Sequence, residues 1–302
     1  MSSLIEQASR RLEQLRQAGV AVPEIVANPP AAVAPVAPEP VAPPPPPARP
    51  AVVSRQVELD LDALTAAGFV SPNAPRSQIA DQYRVIKRPL IANAMGKGST
   101  PVANGNLIMV TSAVAGEGKS FNALNLALSI ATELNNTVML VDADVARPSI
   151  LRMLGLPASR GLLDLLVDDK TDLSQVLLRT NIDKLTLLPS GTPHPRATEL
   201  LASDAMNTLI GDIARRYSDR IVIFDSPPLL LTTESRVLAT HMGQIVVVVH
   251  AEKTLRNDVQ HALATIESCP VKMMVLNQAK VGAGEGYGYG GYGQGYGYGY
   301  GS

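Results

Sequence analysis

Three clusters of residues in this chain have the types and spacing needed for phosphate chemistry. The first is Ser112-Ala113-Val114-Ala115-Gly116-Glu117-Gly118-Lys119-Ser120, which follows the apolar run 106–111 and opens a helical pattern. It is close to G-x-x-x-x-G-K-[ST], with Ala113 where the first Gly is usual. Gly116 and Gly118 let backbone N–H groups converge on phosphate oxygens, and a helix N-terminus adds partial positive charge. Lys119 would neutralise the β- and γ-phosphates and Ser120 would ligate Mg²⁺. Ala115 through Phe121 are therefore the candidate ATP-binding segment, with ATP and Mg²⁺ as the implied cofactors.

The second and third clusters are acidic. The run 137–141 ends in Asp142-Ala143-Asp144, and 220–224 ends in Asp225-Ser226-Pro227-Pro228. Mg²⁺ prefers one or two carboxylates together with phosphate oxygens and water. A phosphoryl acceptor also needs a base or an orienting group. Asp142, Asp144 and Asp225 can serve both needs, as metal and catalytic residues; any one of them alone could be a helix-capping Asp at a strand end, but three beside a phosphate loop point to the site. Arg147 follows the first pair and is a candidate for charge on the phosphates.

Tyrosines that such a site could reach stand in the same chain. Of its 8 tyrosines, Tyr287, Tyr289, Tyr292, Tyr296, Tyr298 and Tyr300 lie near the C-terminus, spaced by Gly and one Gln. Such a composition predicts a flexible segment without a core. Residues 281–302 can extend roughly 70 Å at about 3.3 Å per residue, enough to reach a neighbouring subunit. His194, His241, His250, His261 and Cys269 have no metal-ligand spacing, which speaks against zinc. No dinucleotide fingerprint and no H-R-D or D-F-G signature is present.

The elements that must carry these clusters follow from pattern. Short β-branched runs occur at 106–111, 137–141, 184–188, 220–224, 244–249 and 271–276. Helical patterns cover 76–94, 119–134, 198–216 and 255–267. Strands that are apolar without alternation and separated by helices predict an α/β fold of P-loop type, a mostly parallel sheet covered on both faces. Ligands in such folds sit at the carboxyl ends of strands, where all three clusters fall.

Around this domain, placed at 56–280, composition changes. Residues 1–20 predict an amphipathic helix, with Ser3 and Glu6 at capping-box spacing, for docking, self-association or packing on its own domain. Residues 21–55 include five consecutive prolines at 43–47 and predict a polyproline II spacer. Residues 281–302 form the Gly/Tyr-rich tail. Net charge is −1, without the basic bias of a nucleic-acid binder. A single cysteine allows no internal disulfide, no run of about 20 apolar residues exists, and the charged N-terminus does not read as a secretory signal. A cytoplasmic protein is expected.

Together the three motifs resemble the bacterial tyrosine kinases of exopolysaccharide and capsule synthesis, and more narrowly the stand-alone autokinases of exosortase-type loci. The resemblance covers roughly 76–302. It implies Mg·ATP-dependent autophosphorylation of the tail tyrosines between subunits, in the control of exopolysaccharide synthesis and export. It also implies a membrane-bound co-polymerase or chain-length protein as activator and as the means of recruitment to the inner membrane, a phosphotyrosine phosphatase, and a ring-like homo-oligomer. The family's E-x-x-R-x-x-R assembly motif corresponds to Asp81, Arg84 and Lys87, with charge signs kept and two residue types changed. The Arg of its D-x-D-x-R falls at Ala146, with Arg147 one step later. Glu199-Leu200-Leu201 resembles its P-x-E-L-L segment, and Asn277 matches a position facing adenine in related ATPases.

Two other readings remain open. Positioning ATPases of the same P-loop branch carry a second lysine five residues before the loop lysine, where this chain has Val114. A nucleotide-gated scaffold without catalysis is the third.

Overall fold

The computed structural model describes residues 54–280 except 74–76 and 218, together with residues 13, 14 and 17, which are helical. The greater part of the expected N-terminal helix and proline spacer, and all six tail tyrosines, lie outside the described residues.

Eight strands form one sheet in the order β1-β4-β5-β3-β6-β2-β7-β8. They are β1 (Arg55–Val57), β2 (Leu107–Ser112), β3 (Thr137–Asp142), β4 (Leu178–Thr180), β5 (Leu185–Leu188), β6 (Arg220–Asp225), β7 (Gln244–His250) and β8 (Val271–Asn277). Every neighbouring pair is parallel except β4 with β5. Leu107–Ser112 are buried throughout, as are Val138–Asp142 and Ile221–Asp225, because these central strands are covered on both faces. Edge strand β8 alternates instead, with Met274 and Leu276 exposed while Met273 and Val275 pack on the core. The expected α/β architecture is therefore present. β1 and β4 were not legible, since three residues are too few to show a period. β1 also begins at Arg55, one residue inside the predicted spacer.

One face of the sheet is covered by α2 (Gln78–Ala94) and α3 (Lys119–Ala131), with α1 (Leu61–Ala66) alongside. Ile108, Val110, Leu140 and Ile223 meet Leu90, Leu124 and Leu128 there. The alternate residues Met109, Met139, Val222 and Phe224 face the other layer. That layer includes α5 (Leu162–Val167), α8 (Asp204–Arg216), α9 (Glu234–Ala239) and α10 (Arg256–Ala264). Helix α3 is buried from Asn122 through Ala131, so it is central rather than amphipathic. The short helices α4 (Ile150–Met153), α6 (Leu173–Val176) and α7 (Ala197–Leu201) complete the set.

Two helix boundaries differ from expectation for local reasons. The helix expected over 198–216 is two, α7 and α8, because Ser203 Oγ donates to Leu200 O (2.7 Å) and accepts from Met206 N (3.3 Å), capping the second. The pattern at 119–134 stops at Ala131, where Thr132 Oγ1 donates back to Ser129 O at 2.7 Å. No helix among the described residues is long and apolar enough to cross a membrane.

Candidate active site

The phosphate loop joins β2 to α3, and its shape needs glycine at two points. Gly116 and Gly118 adopt φ of 84° and 92°, the left-handed region where a Cβ is strained. At Gly118 a Cβ would also lie 2.1 Å from Asn277 Nδ2. Ala113 is fully buried and its φ is not positive, so alanine fits where the motif usually has glycine.

Glu117, one of the expected ATP-binding residues, gives its side chain to the loop itself. It is 2 % exposed. Its Oε2 accepts Val114 N at 2.7 Å, and its Oε1 accepts His250 N at 3.4 Å and the Thr254 hydroxyl. Its backbone carbonyl accepts Asn277 Nδ2 at 2.8 Å. Asn277, at the end of β8, thus touches the loop. Thr254 and His250 were not legible as loop braces, because the β7 end is brought beside the loop only by sheet order.

Lys119 opens α3 and is nearly enclosed. Its Nζ donates to Asp144 Oδ2 at 2.5 Å, lies 4.0 Å from Asp225 Oδ1 and is 3.3 Å from Ser120 Oγ. All three acids converge on this side of the sheet. β3 and β6 are neighbours with Asp142 opposite Asp225, and β2 places Val110 opposite Asp225 on the other side.

The acids differ in how they are held. Asp142 Oδ2 accepts Ser149 N and Ile150 N, each at 3.1 Å, so it caps α4, the alternative role foreseen for such a residue. Its Oδ1 is buried without a hydrogen-bond partner among the described residues. Burial raises its pKa to about 6, with the two N–H bonds opposing. Asp144 is tied to Lys119 and accepts Arg147 N at 3.2 Å. Asp225 is fully buried and neither carboxylate oxygen has a hydrogen-bond partner among the described residues. Burial raises its pKa to about 7; Lys119 opposes the shift and Asp142 adds to it.

Buried carboxylate oxygens without hydrogen-bond partners are groups that a bound cation would satisfy. Ser120 Oγ with the free oxygens of Asp225 is a hard oxygen donor set, which fits Mg²⁺, and the free Oδ1 of Asp142 is available to the metal or to an acceptor hydroxyl. Ala115 is exposed at the loop tip, and the Phe121 ring packs on Phe69 with centroids 5.0 Å apart. Arg147 and Ala146 are both exposed, and the Arg147 guanidinium makes no ion pair among the described residues.

The candidate assembly residues divide. Asp81 and Arg84 pair with each other on the exposed face of α2. Lys87 is 3 % exposed and turned into the fold, where its Nζ reaches Ser129 O and, at 2.7 Å, Glu133 Oε1. Glu199 is exposed while Leu201 is buried, so that segment is anchored by its leucine.

A phosphate loop with two acidic strand ends on a parallel sheet defines the class, a P-loop NTPase. The ParA family model, described as NUBPL iron-transfer P-loop NTPase, matches residues 104–279. Tyrosine-protein kinase YwqD of Bacillus subtilis (strain 168) is 30% identical over 214 residues, covering 70% of this chain and 86% of YwqD. Tyrosine-protein kinase wzc of Salmonella typhi is 29% identical over 177 residues, covering 58% of this chain but 24% of that longer protein. The crystal structure of the chimerical protein CapA2B2 superposes with TM-score 0.57 at 26% identity, over 70% of this chain and 97% of that one. The chain belongs to the bacterial tyrosine-kinase family within the ParA-type P-loop NTPases.

Proposed function

We propose that this chain is a Mg·ATP-dependent protein-tyrosine autokinase that phosphorylates Tyr287, Tyr289, Tyr292, Tyr296, Tyr298 and Tyr300 of a neighbouring copy. The observation that carries this reading is the convergence of Lys119, Ser120, Asp142, Asp144 and Asp225 in a chain that ends in a tyrosine array. Bound Mg·ATP would supply the phosphoryl group and offset its charge.

The chain's own residues do the rest. Gly116 and Gly118 shape the loop so that backbone N–H groups hold phosphate oxygens. Lys119, paired with Asp144 at 2.5 Å, exchanges part of that pairing for the phosphates. Ser120 and Asp225 would hold the metal. Asp142 or Asp144 orients or deprotonates the incoming tyrosine hydroxyl. The two backbone N–H bonds to Asp142 Oδ2 favour Asp142, because they hold its other oxygen in place.

The Asp81–Arg84 pair on α2 is the proposed contact of a ring-like assembly. Each phosphate adds about −1.5 to −2 charge, so a fully modified tail repels its neighbours and favours disassembly. A membrane-bound co-polymerase or chain-length protein would recruit the chain from the cytoplasm to the inner membrane and activate it, a phosphotyrosine phosphatase would reset it, and exopolysaccharide synthesis and export is the process regulated.

The test is phosphotyrosine formation by the full chain with Mg·ATP, mapped by mass spectrometry beside Lys119→Met and a truncation after Gly286. Phosphate on the tail tyrosines, absent in both variants, is the expected result. If the wild type binds ATP yet stays unlabelled, even with a cytoplasmic segment of a co-polymerase added, the kinase reading fails. One alternative, a positioning ATPase of the same P-loop branch, would hydrolyse ATP without labelling tyrosine; Val114 and the tyrosine tail argue against it.

A further inference from the structure

Helix α3 is apolar on every side yet carries two buried asparagines, Asn122 and Asn125. Asn125 is accounted for locally: its Oδ1 accepts Val70 N at 2.7 Å and its Nδ2 donates to Phe121 O at 3.0 Å. Asn122 reaches the phosphate loop. Its Nδ2 donates to Gly118 O at 2.9 Å, and its backbone N donates to the same carbonyl at 3.0 Å. Its Oδ1 accepts the hydroxyl of Tyr83, on α2, at 2.8 Å.

The chemistry permits one arrangement of this chain of bonds. Gly118 O can only accept, so the amide NH₂ of Asn122 must face it and the amide oxygen must face Tyr83. Tyr83 must then donate. It is 5 % exposed, and burial pushes its phenol above its ordinary pKa, so it keeps its proton.

The geometry at Gly118 gives the contact its consequence. A trans peptide points its C=O and N–H in opposite directions. Two donors from Asn122 on Gly118 O therefore fix which way the Lys119 N–H faces. Asn277 Nδ2 on Glu117 O, at 2.8 Å, fixes the preceding peptide in the same manner. Gly118, with φ 92° and no side chain, is the residue most able to swing, and both of its peptides are held by asparagine amides.

We propose that Tyr83 is a positioning residue for nucleotide binding, which holds the Asn122 amide so that the Gly118–Lys119 peptide presents its N–H to the phosphate site. This rests on the phosphate loop binding nucleotide, as proposed above. It also gives α2 a direct line to the loop. The residue after Tyr83 is Arg84, whose pair with Asp81 lies on the exposed face, so a contact made there is one residue from the relay.

The experiment measures Mg·ADP affinity of the full chain by calorimetry, beside nucleotide-free thermal unfolding, for wild type, Tyr83→Phe, Asn122→Ser and the double variant. Tyr83→Phe keeps the ring and loses only the donor. Loss of a buried hydrogen bond that orients the loop is expected to weaken Mg·ADP by about fivefold or more. The double variant is expected to be no weaker than the worse single one, because both break one relay. A role confined to packing would lower the unfolding temperature and leave affinity unchanged. That result, or simple additivity of the two variants, overturns the inference while leaving the kinase reading intact. Wild type that binds no Mg·ADP overturns both.

Discussion

Asp225→Asn tests the electrostatic account of the site most directly, because it should remove a pH-dependent loss of stability while disabling the protein. Asp225 is fully buried, neither oxygen has a hydrogen-bond partner among the described residues, and Lys119 Nζ is 4.0 Å away and committed to Asp144. Burial, opposed by Lys119 and reinforced by Asp142, raises its pKa from 3.8 to about 7. The sign follows from linkage. The unfolded chain releases this proton near 3.8 and the folded chain only near 7, so between those values the folded state binds more protons and stability falls as pH rises. Each pH unit in that window costs about 1.4 kcal/mol at most. From pH 5 to 8 the wild type should lose roughly 2–3 kcal/mol through this group alone. An asparagine does not ionise and escapes the loss. Its unpartnered amide costs about 1–3 kcal/mol by itself, but that cost does not change with pH. The stability difference, variant minus wild type, should therefore rise by roughly 2–3 kcal/mol between pH 5 and pH 8. For a domain of this size that is about 5–10 °C in midpoint. Thermal and urea unfolding of the full chain across pH 5–8, in chelator and without nucleotide, measures it. A difference that stays flat with pH would refute the reasoning, since it would mean that Asp225 is solvated or already paired. The same variant should lose tyrosine phosphorylation and the stabilisation that Mg·ATP gives the wild type.

Three other outcomes are expected. Gly118→Ala combines a left-handed residue with a Cβ 2.1 Å from Asn277 Nδ2, so it should weaken nucleotide binding at least tenfold, by about 1.4 kcal/mol or more, as read by calorimetry. Lys87→Ala removes a buried ammonium that holds Ser129 O and Glu133; it should cost about 2–3 kcal/mol in urea unfolding, less than a fully buried pair because Glu133 is partly exposed, while Mg·ADP affinity in the folded protein stays within about twofold. Glu117→Gln keeps one acceptor oxygen and turns an NH₂ towards either Val114 N or the His250 N and Thr254 pair, so it should weaken Mg·ADP binding several-fold and also lower the protein's midpoint.

Much about this protein follows from local pattern alone. Continuous apolar runs ending in Asp142 and Asp225 specify buried parallel strands, because a strand covered on both faces has no polar side to show. Gly116, Gly118, Lys119 and Ser120 are legible because their chemistry depends on residue type at fixed offsets along one loop. The tyrosine array is legible because composition is itself the signal. What the tertiary structure decided is which distant residues meet. The order of the strands, not their sequence, sets Asp142 opposite Asp225 and brings the β7 and β8 ends, with His250, Thr254 and Asn277, against the loop. Lys87 has the spacing of an exposed assembly residue, yet one turn beyond the exposed Arg84 it lies under α3 and is neutralised there. Tyr83 and Asn122, 39 positions apart, become one relay because α2 packs on α3. Such contacts arise from which face each helix must bury, and that is settled only when the whole sheet is in place to bury it.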